Sequence, residues 1–230
     1  MKEKLRIGII DDDSSKVTQI ITRLMEGLDE ASPEKQQKYC NFEFEPYELE
    51  INDDLNKMLE EIIEIDLDCI IVDYKLSSYA VANYTGIELA QNLEDRILDY
   101  PIFVLTSYED DLFRKEVYNA YQVFDVERYL KEKSERIELH FKIIEQILKT
   151  QKQKVMWERE IKKLLPLAGV SEEIDSRLVE LDTKLEKSIN GTSSLPLKVK
   201  KDLDSNKLNE ILEKIDLILE REKYNGKDKE

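Results

Sequence analysis

Short segments rich in apolar residues alternate along the first 150 residues with longer segments whose apolar residues recur every three or four positions. Uninterrupted apolar runs of four to six residues are typical of strands buried on both faces of a parallel sheet. Two such runs occupy residues 69–72 and 102–105, and residues 5–10 form a similar run that contains one charged residue, Arg6. Residues 42–45 alternate instead, like a strand with one buried face, and Pro46 is predicted to end it. A fifth strand is predicted around residues 128–131.

A helical pattern follows each predicted strand. Ser14 or Ser15 is predicted to cap the first of these helices and Ser134 to cap the last. Asn52 or Asp53 and Thr85 with Gly86 are predicted to open two others, and one more helix is predicted over residues 110–121. Residues 27–41 read as a polar loop. Five strands alternating with five helices predict an α/β fold in which a five-stranded parallel sheet is covered on both faces, a doubly wound sheet.

Composition narrows the classes of function. The net charge is −16, and residues 151–230 hold 17 basic and 17 acidic side chains, so the first 150 residues carry the whole excess of acidic groups. Neither half has the basic face that nucleic-acid binding requires, so no nucleic-acid partner is expected. No run of about 18 apolar residues occurs, which predicts no membrane span. We therefore expect a cytoplasmic protein.

The histidine and cysteine content gives no sign of a multi-histidine metal site or a disulfide. The chain has one histidine, His140, which we interpret as an ordinary helix residue. Cys69 lies inside a predicted core strand and Cys40 precedes another strand. Both fit packing better than a disulfide or a metal site.

Carboxylates follow two of the apolar runs at the point where each strand is predicted to end. Asp11, Asp12 and Asp13 follow the first predicted strand, and Asp73 follows the third predicted strand, residues 69–72. The carboxyl ends of parallel strands lie at one edge of the sheet, where open α/β sheets bind ligands. Adjacent carboxylates repel one another, and a bound cation relieves that repulsion. The alternative is a solvated acidic turn with no ligand.

The fourth and fifth predicted strands also end in polar residues that add to this candidate site. Thr106 ends the fourth strand with Pro101 five residues before it, and Lys131 ends the predicted fifth strand. Together with the acidic residues and the glycine-opened helix at Gly86, this order resembles the receiver domain of two-component response regulators, a flavodoxin-like fold. The resemblance covers about the first 150 residues.

The resemblance implies a function in phosphoryl transfer. Asp73 would be the phosphoacceptor, and Thr106 and Lys131 would hold the phosphoryl oxygens. Mg²⁺ would be bound by Asp11, Asp12, Asp73 and the backbone carbonyl of Lys75, an oxygen-only set that suits this ion. The donor would be a phosphohistidine on a histidine kinase or a phosphotransfer protein, and the chain itself would be a signalling protein and not an enzyme.

The sequence departs from the family pattern near the end of the predicted fifth strand. Glu132 follows Lys131 where the family has proline, and Lys133 is an alternative for the lysine role. Arg128 stands where the family places its aromatic switch residue, with Tyr129 beside it. The loop between Asp73 and the Gly86 helix is also longer than the family's.

The remaining residues predict an all-α region. The helix from Ser134 is expected to run on to about Leu165, a second helix to span residues 171–189, and a third to span residues 205–223. The predicted divisions are a receiver domain over residues 1–150, a helical output region over 151–225 and a disordered tail over 226–230. The helices are amphipathic and too short to be stable alone, so we expect their apolar faces to pack together, against the receiver domain or against a second chain. A homodimer and a docked protein partner are the two forms that the last alternative would take. The competing hypothesis is a pseudo-receiver that acts as a constitutive interaction scaffold without phosphorylation.

Overall fold

Five parallel strands form one sheet in the computed structural model, which describes residues 2–76, 82–107 and 122–190. The strands are β1 (Glu3–Ile10), β2 (Phe42–Glu48), β3 (Cys69–Val72), β4 (Ile102–Thr106) and β5 (Val123–Asp125). Their spatial order is β2-β1-β3-β4-β5, and every neighbouring pair is parallel. This is the strand order of flavodoxin-like doubly wound sheets. The predicted fold class is confirmed.

Seven α-helices lie within the described residues. They are α1 (Ser14–Glu26), α2 (Pro33–Lys38), α3 (Leu55–Ile65), α4 (Gly86–Arg96), α5 (Val126–Lys131), α6 (Lys133–Leu164) and α7 (Glu172–Asn190). A short 3-10 helix, Leu165–Leu167, separates α6 from α7. The helix predicted over residues 110–121 lies outside the described residues, as do the helix predicted over 205–223 and the tail predicted over 226–230.

The sheet carries an apolar core on each face. Successive side chains of a strand point to opposite faces, so Ile70 and Val72 contribute to one core while Cys69 and Ile71 contribute to the other. Helices α3 and α4 pack against the first core, and α1 and α6 pack against the second. Burial on both faces explains why residues 69–72 of β3 and residues 102–105 of β4 are uninterrupted apolar runs.

The register of the strands fixes what lies at the carboxyl edge of the sheet. Ile10 pairs with Val72, and Val72 pairs with Val104 on the other side. The residues that follow these pairs therefore meet at one edge. They include Asp11 after β1, Asp73 after β3 and Thr106 at the end of β4.

The strand predicted at residues 128–131 is wrong, because these residues form helix α5. The fifth strand is the shorter segment Val123–Asp125 just before it. The Asp125 carboxylate accepts a hydrogen bond from the Arg128 N–H at 2.8 Å and so caps the helix. A cap of this kind stabilises the first turn of a helix, and buried Tyr129 anchors α5 in the core.

Two further expectations differ from the structure in detail. Strand β2 continues through Pro46, which pairs with Ile7. Proline is tolerated there because β2 is the edge strand of the sheet, with β1 as its single neighbour among the strands of the described residues. The loop predicted over residues 27–41 contains helix α2.

The C-terminal helices follow the predicted pattern as far as residue 190. Helix α6 continues to Leu164 and α7 begins one residue after Ser171, so these two helices are confirmed. The chain divides into two compact units, Met1–Gln153 and Lys154–Glu230, and the division falls inside α6. In the second unit the Arg177 guanidinium binds both carboxylate oxygens of Glu160, at 2.7 and 3.0 Å. The predicted domain boundaries stay predictions.

Among the helices of the described residues, none combines the length and the apolar composition that crossing a bilayer requires.

Candidate functional site

Asp11 and Asp73 are neighbours because their strands are neighbours. The last residues of β1 and β3, Ile10 and Val72, are paired in the sheet, and an aspartate follows each. The Asp73 N–H donates to the Ile10 carbonyl at 2.9 Å, which continues the ladder past the end of β3. Both side chains are buried, with exposed fractions of 2% for Asp11 and 5% for Asp73. The backbone pairing thus holds two carboxylates together out of solvent.

Asp12 joins the cluster and Asp13 does not. One carboxylate oxygen from each of Asp11, Asp12 and Asp73 lies within 4.8 Å of the others. Asp13 instead caps helix α1, because its Oδ1 accepts from the backbone N–H groups of Ser15 and Lys16 at 2.9 and 3.2 Å. The sequence predicted Ser14 or Ser15 as the cap of this helix, whereas the residue that caps it is Asp13. Only two of the three consecutive aspartates take part in the cluster.

One oxygen of Asp73 lacks a hydrogen-bond partner among the described residues. This atom, Oδ1, is fully buried. A buried carboxylate oxygen without a partner carries a large desolvation cost. Three clustered carboxylates that include such an atom fit a small divalent cation that prefers oxygen ligands, as Mg²⁺ does.

A lysine ammonium lies beside these carboxylates. Lys16 Nζ is 2.9 Å from Asp11 Oδ2 and 3.3 Å from Asp73 Oδ2. It also donates a hydrogen bond to Asp11 Oδ1 at 3.2 Å. The Lys16 side chain is 21% exposed, so the ion pair is largely shielded from water. One cation therefore partly neutralises two buried acids.

Two opposing effects set the pKa values of the buried aspartates: burial raises them, and the positive charge of Lys16 lowers them. Burial raises the pKa of Asp11 to about 6, although Lys16 and the Asp13 N–H oppose the rise. Burial likewise raises the pKa of Asp73 against the opposing charge of Lys16. For Lys16 burial disfavours the charged form, but the two carboxylates outweigh it and the pKa is raised. The desolvation of the acids is thus only partly compensated by the lysine.

Helix α4 begins directly against the backbone of Asp73. A Cβ atom placed on Gly86 would lie 1.9 Å from the Asp73 carbonyl oxygen and 2.8 Å from Val72 Cγ2. The Gly86 N–H donates to the Tyr74 carbonyl at 2.9 Å. The N-terminus of this helix is capped by a capping box between Thr85 and Glu88. Glycine is required here by the close approach of helix and strand, and the contact fixes the backbone of Asp73.

Two other predicted site residues lie next to the cluster in the chain or in the sheet. Thr106 is the last residue of β4, two positions beyond the Val104 that pairs with Val72, and it is fully buried. Lys75 follows Asp73 by two residues and is half-buried. The roles of the Thr106 hydroxyl and of the Lys75 carbonyl stay predictions.

The structure does not bring Lys131 to the carboxylates. Lys131 ends helix α5, its side chain is 72% exposed, and its Nζ pairs with Glu127 at 2.7 Å. Its placement in the site depended on a strand at this position, and that strand is a helix. Lys133 begins α6, and its charge acts on Glu30. Neither alternative contacts Asp11 or Asp73 in the described residues.

Tyr129, the residue closest to the expected aromatic switch, belongs to a buried hydrogen-bond chain. Its hydroxyl lies 3.1 Å from His140 Nε2, and His140 Nδ1 lies 2.6 Å from the Gly27 carbonyl. A carbonyl only accepts, so Nδ1 carries the proton and Nε2 accepts from the tyrosine. Both side chains are fully buried. His140 is therefore a structural core residue, more constrained than the ordinary helix position expected from the sequence.

Lys16 is the site residue that the sequence analysis did not identify. A signal was present, because a lysine in the first turn of a helix is unfavourable beside the positive end of the helix dipole. Lys16 occupies such a position in α1, three residues after its capping Asp13. A basic residue at that position indicates that an acidic group lies nearby and compensates for the unfavourable interaction with the helix dipole.

No family model matches this sequence, and no curated protein matches it. One similar solved structure is a response regulator receiver domain protein from Clostridium thermocellum, 16% identical, covering 64% of this chain and 97% of that chain, with a TM-score of 0.39.

A second similar structure is a fusion protein that carries a trimeric coiled-coil segment of yeast Spc42. It is 16% identical and covers 81% of this chain and 95% of that chain, with a TM-score of 0.41. The fold is therefore assigned from the strand order and register described above.

Proposed function

We propose that the protein is a receiver that accepts a phosphoryl group on Asp73 and signals through its helical C-terminal region. The observation that carries the proposal is the cluster of Asp11, Asp12 and Asp73 at the carboxyl edge of the sheet. Asp73 follows the central strand, is held there by its backbone bond to Ile10, and is buried with one oxygen lacking a partner among the described residues. A carboxylate in that position is ready to accept either a cation or a bond to phosphorus.

The residues of this chain would act mainly by positioning. A carboxylate oxygen of Asp73 attacks the phosphorus of a phosphohistidine, the P–N bond breaks, and its electron pair stays on the imidazole nitrogen. Asp11, Asp12, Asp73 and the Lys75 carbonyl would hold Mg²⁺, and the Thr106 hydroxyl would donate to a phosphoryl oxygen. Bound Mg²⁺ supplies neutralisation of the charge on the phosphoryl oxygens.

The donor would be a histidine kinase or a phosphotransfer protein. The output would be a protein interaction, because the C-terminal residues are charge-neutral and lack a basic face. Apolar side chains exposed in the second unit, including Met156, Leu165 and Val170, support an interaction surface. Self-association of this region is one form that the interaction would take.

A second candidate function is favoured by one observation, the Lys16 ammonium. A cation supplied by the chain itself reduces the need for a bound metal, since it already pairs with Asp11 and Asp73. In that case the protein is a pseudo-receiver, a scaffold that keeps the fold and acts without phosphorylation.

Labelling separates the two functions. The protein is incubated with acetyl phosphate and Mg²⁺, and the added phosphoryl group is detected by intact-mass spectrometry. We expect labelling of the unmodified chain and none of Asp73→Asn, because the amide is a far poorer nucleophile. The matched control is Asp13→Asn, which removes one neighbouring charge and preserves the helix cap. It should label like the unmodified chain.

Metal binding supplies a second measurement. Millimolar Mg²⁺ should raise the melting temperature, since it binds the folded state and relieves repulsion among the carboxylates. Identical melting curves with and without Mg²⁺, together with no labelling by acetyl phosphate or uptake of beryllofluoride, would support the scaffold function instead.

A further inference from the structure

Phosphoryl transfer at this site requires a cation besides the metal. Lys131 and Lys133, the residues expected to provide it, lie away from Asp11 and Asp73. Phosphoryl transfer develops charge on oxygens that are better neutralised from more than one side. Strand β5 ends at Asp125, and Lys131 lies on an exposed face of the next helix, paired with Glu127. The lysine position implied by the family pattern is therefore not supplied by the fifth strand.

Lys16 is placed where such a cation is required. Its Nζ contacts both oxygens of Asp11, at 2.9 and 3.2 Å, and reaches Asp73 Oδ2 at 3.3 Å. The other oxygen of Asp73, Oδ1, has no hydrogen-bond partner in the described part of the chain. The two oxygens of the proposed acceptor are thus distinguished: one faces the ammonium, and the other is left for a second cation.

The position of Lys16 on helix α1 allows its ammonium to bind a new anion when the charge of the site changes. It projects from the first turn of α1, whose start is fixed by the Asp13 cap. A lysine is a point charge with three donors on a flexible stem, so it can keep its contact with Asp11 while turning toward a new anion nearby. The helix dipole opposes a cation at this end of α1, so pairing with the site carboxylates is the compensating interaction.

We infer that Lys16, on α1, is the phosphoryl-positioning lysine of this site, in place of a lysine at the end of β5. This inference rests on the proposed function. In the resting state the ammonium neutralises Asp11 and Asp73. When Asp73 carries a phosphoryl group or its mimic, the same ammonium donates to one of the new oxygens.

The test uses beryllofluoride with Mg²⁺ as the phosphoryl mimic, titrated into the full chain and into single variants. We expect Lys16→Met to weaken beryllofluoride binding by about tenfold to a hundredfold, the range for losing a hydrogen bond to a charged group. Lys16→Arg should retain part of the affinity. Lys131→Met should bind like the unmodified chain, and so should the control Lys4→Met, which removes an ion-paired surface lysine near the opposite end of β1.

A second readout does not depend on phosphorylation. Melting in the presence of EDTA should show a larger loss for Lys16→Met than for Lys4→Met, because two buried carboxylates lose their counter-ion while an exposed pair contributes little. Added Mg²⁺ should recover more of the loss in Lys16→Met than in Lys4→Met.

Each outcome decides a separate question. If Lys131→Met weakens binding and Lys16→Met does not, or if Lys16→Met binds beryllofluoride more tightly, the inference is overturned while the proposed function stands. If the unmodified chain binds no beryllofluoride, the proposed function fails, and with it the phosphoryl-positioning role. The melts then decide whether Lys16 is the resting counter-ion, and equal losses in Lys16→Met and Lys4→Met would remove that role as well.

Discussion

The buried His140 predicts a specific dependence of stability on pH. Burial lowers its pKa to about 4, against an ordinary value of 6.5. Its Nε2 accepts from the Tyr129 hydroxyl and its Nδ1 donates to the Gly27 carbonyl, so the folded protein holds the neutral ring. The nearby Arg136 guanidinium also disfavours a second proton. Between pH 6.5 and 4 the unfolded chain binds a proton at this residue and the folded chain does not.

The direction in which stability changes with pH follows from this difference in the number of bound protons. Stability rises with pH wherever the unfolded state binds more protons, so the contribution of His140 is complete above its unfolded pKa and is lost as the pH falls. This difference between the folded and unfolded pKa of His140 corresponds to a loss of about 3 kcal/mol of unfolding free energy once the pH is below both pKa values. At pH 5 the loss is about 2 kcal/mol, because the unfolded histidine is almost fully protonated there and the folded one is not.

The assay is urea unfolding followed by circular dichroism at pH 7.5 and pH 5, for the unmodified chain and for His140→Gln. Glutamine carries a donor and an acceptor and does not titrate. We expect the fall in unfolding free energy between the two pH values to be smaller by about 2 kcal/mol in the variant. Subtracting the two proteins removes the effect of other groups, such as Asp11, whose raised pKa acts in the opposite direction. An equal fall in both proteins would refute the reasoning.

Two further predictions concern the site and the output. Gly86→Ala should destabilise the protein, because the gain in helix propensity of about 1 kcal/mol is smaller than the cost of a Cβ atom 1.9 Å from the Asp73 carbonyl oxygen. Melting curves and Mg²⁺ titrations should show lower stability and weaker binding, and unchanged values in both would contradict this packing argument. Beryllofluoride with Mg²⁺ should change the sedimentation coefficient of the full chain through self-association, and should leave that of Asp73→Asn unchanged. No change in the unmodified chain would count against output through self-association.

The alternation of apolar runs and amphipathic segments was sufficient to predict the parallel sheet. Once the strands are parallel and buried, the residues that follow them must meet at one edge, so Asp11, Asp12 and Asp73 were predictable as neighbours without any coordinates. The long helix α6 was predictable for a similar reason, since no glycine or proline interrupts its pattern before Pro166. These features depend on periodicity and connectivity, which are properties of the chain.

The fifth strand shows where periodicity is insufficient. A short run such as residues 128–131 contains too few positions to distinguish a strand from one turn of a helix. The helix forms because Asp125 caps it and Tyr129 enters the core beside His140. His140 is 11 residues away from Tyr129, and the Gly27 carbonyl that fixes the histidine is 113 residues away from it. Contacts of that kind exist only after the chain has folded.

The cation of the site illustrates the same division. The sequence by itself determined which carboxylates converge, because strand ends are set by backbone connectivity and register. Only the tertiary structure decided that Lys16 and not Lys131 pairs with them, since Lys16 reaches an aspartate 57 residues away. A long side chain can reach any group within several ångströms of its helix, and which group that is depends on how α1 packs against the sheet.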